Sequence, residues 1–391
     1  MSSTTASTVS DASRDWIERL IAFDTTSRYS NLELIACLSD YLAELGVTAT
    51  LVHNPEKTKA NLYATLGPGD RGGIALSGHT DVVPVDGQDW SSDPFRVAER
   101  DGRLYGRGTC DMKSFIAVAL AQAPRILAAN PKIPVHYCFS FDEEIGCKGV
   151  PHLLDFLAHQ PIRPALCIIG EPTSMQVITA HKGKLAMTCD VRGKEAHSSL
   201  APHGVNAIDA AARLVTFIAD LAAEKAQLGP FDHDYDVPHT TIQTGVISGG
   251  TQLNIVPGHC QFQFEFRNLP SDDPQALLAR VQSHAQKDIE PAMKAIDPAS
   301  GFSWTREAAY PGLHTDPDSD VVALAKSLSG SNSTGKVSFG TEGGLFHQAG
   351  MPTVICGPGS IDQAHKPDEY VSLEQLHLCE AFMDRLVEHI T

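Results

Sequence analysis

The chain has 391 residues, more than one hydrophobic core usually organises, and 42% of them are hydrophobic, an ordinary share for a globular protein. Its net charge of −17, from 30 basic and 47 acidic residues, repels phosphate backbones and anionic lipid, so neither nucleic acid nor a membrane surface is an expected partner. The longest helical apolar run, FIAVALA at 115–121, is far short of the ~20 residues a bilayer requires, and nine scattered cysteines without a C-x-x-C read as reduced thiols of a cytoplasmic protein.

The opening MSSTTASTVSDASRDW lacks an apolar signal core, and its first ten or so residues are expected to be poorly ordered. Within 11–25, Trp16, Ile17, Leu20 and Ile21 share one helical face. Leu34, Leu38, Leu42 and Leu45 repeat that spacing within 31–46, and Gly46 is placed to end the helix. Strands follow in TATLVHN, NLYATLG and GGIALSG. Next come a helix after Asp111, the strand VHYCFSF, a helix near 148–158 and the strand ALCIIG. This order is that of an α/β domain with a mixed or parallel sheet covered by helices.

From residue 184 the pattern changes. KLAMTCDVRG, HTTIQTGVISGG and HCQFQFEFRNLP alternate as strands, with helices near 204–225 and 273–289. That is α+β. After about 312 the α/β order returns, with a helix near 317–328, the strand PTVICGPG and a helix from Ser372. The expected architecture is a discontinuous α/β domain, 1–182 and 312–391, with an inserted α+β domain at 183–311.

Polar residues cluster where the predicted strands end. His79 and Asp81 follow GIALSG, Glu143 and Glu144 follow VHYCFSF, Glu171 follows ALCIIG, and His365 comes after TVICGPG. Asp111 follows the Gly-rich LYGRGTC. In open α/β sheets ligands bind beyond the carboxyl ends of the strands. Imidazoles with carboxylates suit zinc or a similar divalent metal. Two ions can share such a set if one carboxylate bridges, and a carboxylate left off the metals can act as general base. The doublet Glu143–Glu144 offers a spare beside a ligand. GSNSTGKV at 330–337 approaches a phosphate loop but has Val337 where Ser or Thr is required, and neither H-E-x-x-H nor G-x-S-x-G occurs.

SGHTDVVP, LYGRGTCDMK, SFDEEIGCKG, GEPT and AHKPDEY resemble the aminoacylase/carboxypeptidase G family of dinuclear zinc amidohydrolases, and the resemblance extends over nearly the whole chain. One departure is Ser114 after DMK, where such enzymes usually carry Gly. The resemblance implies that Asp111 bridges two zinc ions, for which cobalt can substitute. It gives one ion to His79 and Glu171 and the other to Glu144 and His365. It makes Glu143 the general base and Asp81 the residue that orients His79. It also implies a cis peptide at Asp111–Met112. In the inserted domain, which the resemblance makes a dimerisation or lid domain, it implies that His197 stabilises an oxyanion across a homodimer, and that Asn254 and Arg267 hold a substrate carboxylate. The expected substrate is a small N-acyl amino acid. Glu342, in the Gly-rich FGTEGG, is expected to meet a cationic group on that substrate or else to brace its loop. The rival expectations are another deacylase specificity within the family and a metal-dead binding protein.

Overall fold

The computed structural model describes residues 9–391, so most of the segment expected to be poorly ordered lies outside the described residues. Its last two positions are ordered. Val9 is 3% exposed, and Ser10 caps the first helix while its own N–H donates to Glu380 at 3.0 Å. A buried carboxylate 370 residues away fixes this end of the chain, which composition alone does not reveal.

The chain forms two compact units. Among the described residues the first comprises 9–180, Leu313–Lys336 and Thr341–Thr391; the second comprises His181–Gly312 and Val337–Gly340. The first is built on a mixed sheet of nine strands among the described residues. Four central strands are parallel: Val135–Ser140, Ile74–His79, Leu166–Pro172 and Thr353–Gly357, adjacent in that order. Ala49–His53 and Ala60–Leu66 add antiparallel pairs on one side. Apart from the half-buried Leu166, the central strands are buried along their length, as expected for a sheet covered on both faces.

Helices cover the sheet with nearly the faces that the sequence predicts. Asp11–Ile21 buries Trp16, Ile17, Leu20 and Ile21, and Leu32–Glu44 buries Leu34, Leu38 and Leu42, while Leu45 falls at the cap and is half-buried because the helix ends one residue earlier. Gly46 adopts φ +78° just beyond the second helix, the left-handed conformation that ends a helix cheaply only for a residue without Cβ. Lys113–Ala128 is almost wholly buried, and Leu373–Ile390 packs against it and buries Leu376, Phe382, Met383 and Leu386 in the same core.

The second unit is α+β. Its antiparallel sheet runs Thr241–Gly249, His259–Asn268, Gly183–Arg192 and Gly301–Tyr310. One face carries Leu185, Met187, Cys189, Val191, Phe262, Phe264 and Phe266 against the helices Ala207–Leu228 and Pro274–His284. The helix expected near 273–289 ends at His284 and continues as a π-type turn over Ala285–Ile289. The strand Gly301–Tyr310 carries no clear alternation of burial, so no period in the sequence marks it. Its pairing with Gly183–Arg192 makes it a strand.

One glycine sets how closely helix and sheet approach beside the polar edge. A Cβ on Gly170 would lie 2.0 Å from the Phe115 ring. Gly170→Ala is therefore expected to destabilise the protein by about 1–3 kcal/mol or more through overpacking. Urea unfolding checks this; an unchanged midpoint would show that Phe115 yields without cost.

Candidate active site

The four parallel strands end at one edge of the first unit, and each carboxyl end delivers polar groups there. His79 closes Ile74–His79, and Glu171 lies near the end of Leu166–Pro172. Val135–Ser140 runs into Asp142, Glu143 and Glu144, and Thr353–Gly357 leads through the short turn Ile361–Gln363 to His365. Asp111 stands just before the helix Lys113–Ala128, and its peptide bond to Met112 is cis.

These side chains converge. His79 Nε2 lies 3.0 Å from Asp111 Oδ1 and 3.5 Å from Glu171 Oε1. His365 Nε2 lies 3.4 Å from the other Asp111 oxygen and 3.0 Å from Glu144 Oε2. Asp111 thus turns one oxygen toward each imidazole. Ligand atoms of His79, Glu143 and Glu171 fall within 4.8 Å of one another, and so do those of His79, Asp111 and Glu144.

Asp81 works through both its backbone and its side chain. Its carbonyl accepts the His79 Nδ1 proton at 2.9 Å, while its carboxylate stands 3.6 Å from the same nitrogen. The carboxylate instead accepts from Ser27 Oγ at 2.6 Å and from the backbone N–H groups of Glu143 and Glu144 at 3.1 and 3.3 Å. One residue therefore orients the imidazole and holds the glutamate pair.

The electrostatics show what the site lacks. Burial pushes the Glu143 and Glu171 carboxyls well above their usual range, and it raises Glu144 to about 7. Burial also opposes ionisation of Asp111, but contacts with His365 and His79 outweigh it and hold that carboxyl below its usual range. Hydrogen bonds to Asp111 and Glu144 raise His365 to about 10. Four buried carboxyls share two imidazoles, so negative charge exceeds positive charge in a dehydrated space. A divalent cation supplies the missing charge, and the oxygen-rich donor set with imidazole fits one.

The family model described as Peptidase family M20/M25/M40 matches residues 75–389. The chain belongs to that family. An acetylornithine deacetylase of Myxococcus xanthus is 36% identical to it, with 97% of each chain covered. Another, from Proteus mirabilis, is 34% identical over 94% of this chain and 92% of its own length. A tripeptidase of Staphylococcus aureus shares the fold, with a TM-score of 0.76 at 19% identity and coverage of 98% of this chain and 99% of that one. Membership makes the chain a metal-dependent hydrolase.

Glu342 also belongs to the first unit. It is 1% exposed, its Oε1 has no hydrogen-bond partner, and burial raises its carboxyl to about 7. The second unit holds the other residues singled out in the sequence. His197 is exposed and its Nδ1 meets Ser199 Oγ at 2.8 Å. The carbonyl of Asn254 accepts from Ser198 N at 2.9 Å, which joins that loop to the His197 segment. Arg267 donates to Glu265 at 3.1 Å and to the Tyr310 hydroxyl at 3.0 Å.

Some supporting residues carry no signal of their own in the sequence. Ser27 is an ordinary loop serine until the fold sets it on Asp81. Lys113 is fully buried, with Nζ donating to the carbonyls of Leu20 and Phe23, and burial lowers it to about 7. Ser114, the departure from the family pattern, donates its hydroxyl to the Thr109 carbonyl and so fits its place.

With His365 raised to about 10 and Glu144 to about 7, the metal-free site carries protons at neutral pH. A metal requires neutral imidazole and ionised carboxylate, so binding must expel those protons and weaken as the medium is acidified. Calorimetric titration of metal-free protein in buffers of different ionisation enthalpy is expected to show proton release. Equal heats in all buffers would contradict these protonation states.

Proposed function

We propose that this chain is an amidohydrolase that binds two zinc ions, replaceable by cobalt, and removes the acetyl group from N2-acetyl-L-ornithine. The products are L-ornithine and acetate, and the reaction belongs to arginine biosynthesis. The observation that carries this reading is Asp111, whose two oxygens each face a different imidazole, with a further carboxylate beside each. The choice of acetylornithine rests on relatives of that name, which match almost end to end.

In this reading His79, Asp111 and Glu171 hold one ion, and Asp111, Glu144 and His365 hold the other. When bound, such a pair supplies Lewis acidity toward the acyl carbonyl and the attacking water. Glu143 takes the proton from that water and passes it to the departing α-amine. Its high proton affinity in the buried site suits a group that must first accept a proton and then give it up. Cys147 Sγ, 3.4 Å from Glu143 Oε1, helps to place it. Asp81 keeps His79 in the tautomer that presents Nε2 to the metal.

The second unit serves in this reading as a lid and dimerisation domain of a cytoplasmic homodimer. His197 stabilises the oxyanion from the partner subunit, and Asn254 and Arg267 engage the substrate carboxylate. Glu342 meets the side-chain ammonium of ornithine; a buried acid with an unpartnered oxygen is stabilised by such a cation.

Glu143→Ala is expected to retain both metals and to lose at least ~10²-fold in turnover, the lower range for a general base. Metal analysis beside kinetics decides it, and near-normal turnover at full metal content would remove Glu143 from the role. A panel of N-acetyl, N-formyl and N-succinyl amino acids, with N-succinyl-diaminopimelate included, separates this activity from other deacylases. A protein that holds metals and cleaves none of them would be a binding protein.

Glu342→Gln is expected to weaken acetylornithine by about 1.5–3 kcal/mol and to leave N-acetylmethionine little changed. An equal fall in kcat/KM for both substrates would assign Glu342 to bracing its loop.

A further inference from the structure

Beneath the ligand set lies a carboxylate with no part in the proposed reaction. Glu369 follows His365 by four residues, and its side chain is fully enclosed. Its Oε1 accepts the backbone N–H groups of Gly108 at 3.0 Å, Cys110 at 2.8 Å and Asp111 at 3.0 Å. Its Oε2 accepts from Gly108 N at 3.0 Å and from Arg107 Nη1 at 2.7 Å. Three backbone donors of one short loop thus close on one carboxylate, as such concave loops close on bound anions. Gly108 makes the curl possible, with φ +86° and a Cβ position only 2.8 Å from Val82 Cγ1.

The network continues to the other side of the site. Arg107, also fully buried, donates through Nη2 to Gln88 Oε1 at 2.7 Å. Gln88 Nε2 donates to the carbonyl of His365 at 3.1 Å. Trp90 Nε1 donates to the same Gln88 oxygen at 3.0 Å, and the Arg107 guanidinium lies 5.1 Å from the Trp90 ring centre. His365 needs such support. It sits in a loop with φ +64°, a conformation that residues with a Cβ rarely adopt, and its side chain is 54% exposed.

We propose that Glu369 is a positioning residue for the metal ligands. It serves as a resident anion that sets the loop carrying Asp111, and through Arg107 and Gln88 it fixes the backbone of His365 against that loop. The proposal rests on the ligand assignment above. A carboxylate is required, because an amide at this position would turn N–H donors toward N–H donors and leave Arg107 buried without a counter-charge.

The test uses metal-free full-length protein titrated with Co2+ against a chelating indicator, with visible spectra and thermal melting. Wild type binding two equivalents is the control, and a wild type that binds none overturns the ligand assignment instead. Gln88→Ala cuts the arm to His365 and also removes the acceptor of Arg107 Nη2 and Trp90 Nε1, while Arg107 keeps its pairing with Glu369. It is expected to melt cooperatively somewhat below wild type, to weaken one equivalent about 10–100-fold and to change its spectrum. Arg107→Lys keeps the charge on Glu369 but loses the fork to Gln88, and it is expected to reproduce the Gln88→Ala spectrum. Glu369→Gln is expected to weaken both equivalents, since Asp111 serves both. Two equivalents bound by Gln88→Ala and Arg107→Lys with wild-type affinity and spectrum would overturn the proposal, and this result decides even if Glu369→Gln fails to fold.

Discussion

The centre of this protein depends on one carboxylate facing two imidazoles at once. Asp111 must present one oxygen to His79 and the other to His365, which come from segments nearly 290 residues apart. Nothing local can hold that arrangement. His79 is fixed at the end of a fully buried strand, and Asp111 stands at the mouth of a buried helix. His365 lies in a loop. The parallel sheet places the strand ends together, and the remaining alignment falls to hydrogen bonds made by groups without other duties.

The second constraint is charge. Four carboxyls buried with two imidazoles form an arrangement that is stable only with added cations, protons or metals. Burial raises the carboxyls of Glu143, Glu144 and Glu171, and hydrogen bonds to Asp111 and Glu144 raise the imidazole of His365 against its own burial. The same protons make metal binding at these residues a competition with protonation.

Support for the site is distributed through carbonyls and backbone amides more than through side-chain pairs. Asp81 orients His79 by its carbonyl and uses its carboxylate to hold the backbone of Glu143 and Glu144. Glu369 gathers the amides of the Asp111 loop. Anchoring a backbone amide places the Cα from which the ligand side chain departs, and it also gives a buried N–H its acceptor.

Much of this was legible in the chain alone. Apolar spacing marked the helical faces of Trp16, Ile17, Leu20 and Ile21, because burial on a covered sheet imposes that period. The change from α/β to α+β order was read near residue 184, and the second compact unit begins at His181. His79, Glu143, Glu144, Glu171 and His365 stood out as metal-binding residue types at predicted strand ends and Asp111 after a Gly-rich turn, while the choice of ligands among them came from the family resemblance. Only the tertiary structure decided which oxygen faces which nitrogen, that Asp81 gives His79 its carbonyl, that Ser27 meets Asp81, and that Gln88, Arg107 and Glu369 link the segments of Asp111 and His365 by hydrogen bonds. Serine, glutamine and an Arg–Glu pair are common on any surface. Their roles arise from distances between segments far apart in the chain, and no local pattern encodes those distances.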